Sequence, residues 1–87
     1  MIINFYQVGK KNMYISTCGN ILKSYDRIIA VKKGSEIYLN ADYHDYSKTT
    51  AQHRNQFLGV DSKEFHRNLK EGHYILISDE EIIRLVK

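Results

Sequence analysis

Histidine, arginine and asparagine occur in that order twice within sixteen residues, at His53-Arg54-Asn55 and His66-Arg67-Asn68, each time beside a phenylalanine and a leucine. Such side chains hold phosphate, pair with base edges or ligate metals, so their spacing decides what they can do together. Both triplets fall in segments with helical grammar, where consecutive residues turn by about 100°. The members of a triplet therefore fan over about 200° and cannot converge on one ligand. Two readings of the repeat stand: a pair of amphipathic helices with ordinary polar faces, or a surface that binds through one of them.

The binding reading rests on the neighbourhood of the first triplet. Gln52, His53, Asn55 and Gln56 crowd one short helix, preceded by Tyr43, His44, Tyr46, Ser47, Lys48, Thr49 and Thr50. A helix N-terminus and hydroxyls hold phosphate, Asn and Gln pair with adenine edges, and tyrosine stacks on an unpaired base. The same composition suits a protein interface, where tyrosine and arginine are enriched and Arg54 would serve as an anchor. Asp42 and Asp45 count against phosphate here. The expected binding residues are thus Tyr43, His44, Tyr46, Lys48, Gln52, His53, Arg54, Asn55 and Gln56.

Charge adds a second set. Residues 1–34 carry six basic side chains against one acidic, a net of +5, whereas residues 35–87 carry seven against nine, a net of −2. Lys10, Lys11, Lys32 and Lys33 could steer a polyanion, although solubility alone accounts equally for a balance of this size.

Catalytic patterns are weak. Cys18 could act as a nucleophile only if one of His44, His53, His66 or His73 folded against it, and nothing around it resembles a nucleophile elbow or a cysteine-protease signature. A buried, inert Cys18 is expected. Asp42, His44 and Asp45 could offer metal ligands but form neither an EF-hand loop nor an HExxH helix. His66 and Asn68 share one helix that follows another, the wrong order for a nuclease built on a hairpin and its next helix. No catalytic residue, metal ligand or cofactor is assigned.

The elements that must position these groups follow from period and punctuation. Strands are expected at Ile2 to Val8 and Met13 to Cys18 around a Gly9–Asn12 turn, then at Arg27 to Val31 and Glu36 to Asn40 around Lys32-Lys33-Gly34-Ser35. Val60-Asp61-Ser62-Lys63-Glu64-Phe65 has the form of a helix start: Asp61 caps, Glu64 reaches back, and Val60 packs on Phe65. Gly72 ends that helix. Ile77-Ser78-Asp79-Glu80-Glu81-Ile82 repeats the grammar after a strand at His73 to Ile77, while Thr49 to Gln52 opens a helix that Gly59 closes. The order ββββααβα predicts an α+β domain: a small antiparallel sheet of two hairpins plus a later strand, with two or three short helices in the C-terminal half.

At 87 residues the chain is expected to be one domain that buries about 60–65% of its unfolded surface. A single cysteine suits a reducing compartment, and neither a signal peptide nor a membrane span is visible. A cytoplasmic protein is expected, its oligomeric state open.

The run Tyr46-Ser47-x-Thr49-Thr50-x-x-His53-Arg54-Asn55-Gln56-Phe57-Leu58-Gly59, followed by Lys70-Glu71-Gly72-x-Tyr74-Ile75-Leu76, resembles a family of small proteins carried by bacteriophages and plasmids. The resemblance spans Tyr38 to Ile77, with Tyr25-Asp26-Arg27-Ile28-Ile29-Ala30 before it, and leaves the first 20 residues outside. It implies a mobile-element origin and carries over no catalytic residue. Short phage-borne chains without enzyme motifs often act by binding, so by class-level analogy the expected role is a non-enzymatic inhibitor or modulator of a host protein or ribonucleoprotein complex. An anti-CRISPR-like inhibitor of a CRISPR effector is its most concrete form. Direct DNA or RNA binding is the alternative, and a small hydrolase or nuclease a distant third.

Overall fold

Short apolar runs separated by tight turns give the first half of the chain a meander. The computed structural model describes residues 4–9 and 11–86. Strands β1 (Phe5–Gln7), β2 (Met13–Ser16), β3 (Ile21–Ser24), β4 (Arg27–Lys33) and β5 (Glu36–Asn40) pair antiparallel, each with the next in sequence. Helices α1 (Lys48–Leu58) and α2 (Ser62–Lys70) follow. Strand β6 (Ile75–Ile77) then lies parallel to β5 at the sheet edge, and α3 (Asp79–Leu85) ends the described chain. The class is α+β, with the helices in the C-terminal half.

Three expectations change. The sequence reading missed β3, so the first half is a five-stranded meander rather than two hairpins. Its four residues, Ile-Leu-Lys-Ser, are too few to display a period, and turns flank both ends. The later strand joins in parallel, because α1 and α2 carry the chain back before it pairs, as a parallel connection requires. Boundaries also tighten: β2 ends at Ser16, β4 runs on to Lys33, and only Gly34-Ser35 separates β4 from β5. Ile2 and Ile3 of the expected first strand lie outside the described residues.

Alternation along the strands builds two cores. Met13, Leu22, Ala30 and Leu39 pack with Phe57 of α1 and Phe65 of α2, whereas Ile21 and Val31 pack with Ile82 of α3. A register shift opposite Leu22 and Lys23 inserts Ile29 as an extra residue in β4. The bulge lets Ile29 share the first core with Ala30 while Ile28 meets the second. The sheet is thus covered by α1 and α2 on one face and by α3 on the other.

Local grammar sets the helix ends. Asp61 caps α2, its carboxylate accepting the Glu64 N–H at 2.7 Å, and Ser78 with Glu81 forms a capping box on α3. For α1 the cap is Ser47 rather than Thr49: its Oγ accepts the Thr50 N–H at 3.1 Å. Gly59 and Gly72 take left-handed φ values of 72° and 78° after α1 and α2. The following amides, Val60 and His73, return to the carbonyls of Asn55 and Asn68, so both helices close as Schellman motifs. Among the described residues no helix is long and apolar enough to cross a membrane.

Candidate binding site

Two loops meet beside the start of α1. The first is the two-residue turn Tyr25-Asp26, which joins β3 to β4 between the paired Ser24 and Arg27. The second is the stretch 41–47, launched from the end of β5 by Asn40. That amide is fully buried and fully used: Nδ2 donates to the Ile28 carbonyl and to Asp79 Oδ1, and Oδ1 accepts from the amides of Asp42 and Tyr43. With both donors and both lone pairs engaged, it fixes where the second loop begins.

Between these loops lies a cleft of about 330 Å³, lined by Tyr25, Asp26, Arg27, Tyr43 and Tyr46 with Ser24, Ile29 and Thr50 behind them. Tyr46 is 73% exposed and Tyr25 45%. Tyr43 and Tyr46 stand with ring centroids 5.8 Å apart. The Arg27 guanidinium lies 4.4 Å from the Tyr43 ring centroid and pairs with Asp79 at 3.1 Å. Tyr25 has a φ of 56°, a left-handed conformation that turn positions ordinarily give to Gly or Asn and that a bulky ring takes only under strain. One ring held at a strained φ and a second, more exposed ring thus share this concave surface.

Behind the cleft the wall is polar yet closed. Ser24 Oγ lies 2.8 Å from His53 Nδ1 and 3.2 Å from Thr50 Oγ1, which also receives the Ser47 hydroxyl. Ser24, Thr50 and His53 are all buried. A hydroxyl beside an imidazole is the raw material of nucleophilic catalysis. Here the hydroxyl is held between β3 and α1 and fastens the helix to the sheet.

The expected residues divide. Tyr43 and Tyr46 line the cleft; Lys48, Gln52 and Gln56 are exposed along α1. His53 and Arg54, expected on the binding face, are instead buried at 0% and 1% exposure. The Arg54 guanidinium stacks on Phe65 with its carbon 3.5 Å from the ring centroid, and its Nη1 lies within 3.2 Å of His44 Nδ1, the His44 carbonyl and Asp45 Oδ1. Its Nε donates to Asn55 Oδ1. The whole side chain packs between α1 and α2 rather than reaching out as an interface anchor. His44 and Asn55 are thereby drawn into a structural cluster rather than left on a contact face.

His44 has a defined protonation state. A guanidinium can only donate, so His44 Nδ1 accepts and the ring is neutral with its proton on Nε2. Burial, then the Arg54 charge, lowers the His44 pKa from its usual 6.5, against an opposing pull from Asp45. Asp42, for its part, accepts the Asp79 amide, so the Asp42, His44 and Asp45 trio is committed to protein partners. Among the described residues no three His, Cys, Asp or Glu side chains gather as a metal site.

The basic residues do not form one patch. Lys11 sits in the β1–β2 turn, Lys32 and Lys33 at the close of β4, and the antiparallel order puts these at opposite ends of the sheet. Lys32 is also committed: its Nζ donates to the Phe57 carbonyl and lies over the Phe57 ring. Lys10 lies outside the described residues. Cys18, expected to be buried, is exposed in the β2–β3 turn, on a groove that runs to Leu85 and Val86. The expected second strand ran to Cys18, but β2 ends at Ser16, so Cys18 falls in the turn rather than on a strand face that the core covers.

In the second triplet His66 Nδ1 meets the Ser62 carbonyl, Arg67 is exposed, and Asn68 donates to the Tyr74 hydroxyl. Neither triplet converges on a ligand.

Sequence reading missed Ser24, Tyr25, Asp26 and Arg27 as cleft residues, and named Thr50 only as part of the polar run before the first triplet. The available signal was a tyrosine and an aspartate standing alone between two β-type runs, in the place of a two-residue turn. Without β3 that turn could not be seen.

Residues 3–78 match the model of a family of unknown function (DUF8033), a span that takes in all six strands and both helices of the first core. No curated protein and no solved structure matches the chain.

Proposed function

We propose that this chain, which belongs to the family of unknown function DUF8033, is a non-enzymatic binding protein that docks on a protein partner through its tyrosine-rimmed cleft. The observation that carries this reading is the pairing of two exposed rings, Tyr25 and Tyr46, on one concave surface, with Tyr25 kept at a strained positive φ. Tyrosine supplies a large, rigid contact area at low entropic cost, the property that makes it a frequent interface anchor. The separation of Lys11 from Lys32 and Lys33 favours a protein surface over a polyanion, which a continuous basic stripe would serve better.

The resemblance of residues 46–59 to phage- and plasmid-borne proteins supplies the partner class: a host nucleic-acid-handling complex, with a CRISPR effector as the most concrete case. A basic chain is a poor mimic of nucleic acid, so inhibition would come from wedging against a moving part. On this reading the protein works in the cytoplasm of a bacterial host.

The test is capture of partners from host lysate by the tagged wild type, by Tyr46→Ala and by Tyr25→Gly, each with and without nuclease treatment. Glycine relieves the φ strain at position 25 and Tyr46 is exposed, so both variants should keep the wild-type denaturation midpoint. A partner that survives nuclease digestion should be lost by about thirtyfold in either variant, the factor for a hot spot of about 2 kcal/mol. Equal capture by all three proteins would refute the cleft as the contact surface. A partner that disappears with the nucleic acid would favour direct nucleic-acid binding.

A further inference from the structure

We infer that the group seated in the cleft is a cationic side chain, an arginine or lysine of the partner protein. This rests on the reading of the cleft as a contact surface and goes on to name what fills it. The volume comes first: about 330 Å³ is at the small end of the roughly 300–1,000 Å³ of ligand pockets, room enough for a long side chain.

Charge decides the rest. Arg27, the one basic residue of the lining, is answered by Asp79 and already lies over Tyr43. Asp26, the one acidic residue of the lining, makes no ion pair or side-chain hydrogen bond among the described residues. The unanswered charge on the cleft is therefore negative. An anionic occupant such as a phosphate would meet Asp26 and no free cation, and a neutral base or apolar side chain would desolvate that carboxylate without replacing its water.

The rings point the same way. Five ring–cation contacts occur among the described residues, placing Lys23 on Phe5 and Tyr14, Arg27 on Tyr43, Lys32 on Phe57 and Arg54 on Phe65. Cation-on-ring packing thus recurs in this chain, on five of its ten Phe and Tyr rings. Tyr25 and Tyr46 are the cleft rings that carry no cation. Each has one ring neighbour, His53 for Tyr25 and Tyr43 for Tyr46, and each remains partly exposed; two exposed tyrosines beside a free carboxylate are the chemistry that receives a guanidinium or ammonium.

The experiment is an amide-resolved NMR titration of the whole chain with three probes: N-acetyl-arginine methylamide, its neutral isostere N-acetyl-citrulline methylamide, and AMP. The arginine probe should give saturable shifts at Tyr25, Asp26, Tyr46 and Thr50. Citrulline and AMP should bind at least about fivefold more weakly. Asp26→Asn, which keeps a good turn residue and hence the fold, should erase the preference for arginine over citrulline. Equal binding of arginine and citrulline, stronger binding of AMP, an unchanged preference in Asp26→Asn, or no saturable shift would each overturn the inference. If the arginine probe fails while Tyr46→Ala still loses its captured partner, the cleft stands as the contact surface and only its cationic occupant falls. If Tyr46→Ala loses nothing, both fall.

Discussion

Arg54 lays its guanidinium flat on Phe65 and sends its donors to His44, Asp45 and Asn55, so it joins the α1–α2 contact as a core side chain that happens to be charged. Asp45 reaches solvent at the far side of the pair, which spares the carboxylate the full cost of burial. Arg54→Ala should therefore cost about 3 kcal/mol, mainly through lost packing, as read from a urea denaturation midpoint; a change below about 0.5 kcal/mol would place it among surface substitutions. His44 adds a pH dependence of known sign. Its folded-state pKa lies below the usual 6.5, so its contribution is fully present above 6.5 and is lost as pH falls through the depressed folded value. Lowering the pH from 7.5 to about 5 should narrow the stability gap between the wild type and His44→Gln; a gap that widens or holds constant would show that the ring is not kept neutral. These two residues also mark what sequence can show of a site. Tyr46 was legible as an exposed residue because its neighbours are polar. Arg54 and His53 were misplaced because a polar side chain on an amphipathic helix points outward by default, and only the partners supplied by other elements, Ser24 and Phe65, bring them in.

Where an element is specified by its own few residues, sequence and structure agree. Asp61 holds the Glu64 amide at the start of α2, and Asp61→Ala should cost about 1 kcal/mol and speed hydrogen exchange at Glu64. Unchanged exchange at that amide would mean that water caps the helix as well as the carboxylate does. The Ser78–Glu81 box and the glycine ends of α1 and α2 were equally legible, since each is a local pattern with a local partner. Strand β3 was not, because four residues with a buried serine at the end give no alternation, and that serine is buried for the sake of Thr50 and His53 on α1. The missing strand concealed the Tyr25-Asp26 turn and with it half of the cleft. Ser47 was passed over as a cap for a similar reason: Thr49 and Thr50 offer the same chemistry two and three residues later, and only the backbone geometry selects among them.

Five strands of the sheet pair with their neighbours in sequence, while β6 pairs with β5 only after residues 41–74 have been gathered in. Sequence-local pairing closes short loops and long-range parallel pairing closes a long one, so the meander can form first and β6 with α3 must dock late. Two substitutions of about 1 kcal/mol each should separate the steps. Leu22→Val, in β3, should slow folding, whereas Ile82→Val, in α3, should leave the folding rate alone and raise the unfolding rate. The opposite pattern in a chevron plot would make the α3 contact part of the nucleus. The parallel strand has a last consequence for the life of the protein in a cell. Until β6 arrives, β5 keeps an open edge and the Ile21–Val31 surface has nothing over it. A newly made chain that folds in this order passes through an interval in which it can be held by a chaperone or can stick to another copy, and the docking of β6 and α3 is what brings that interval to a close.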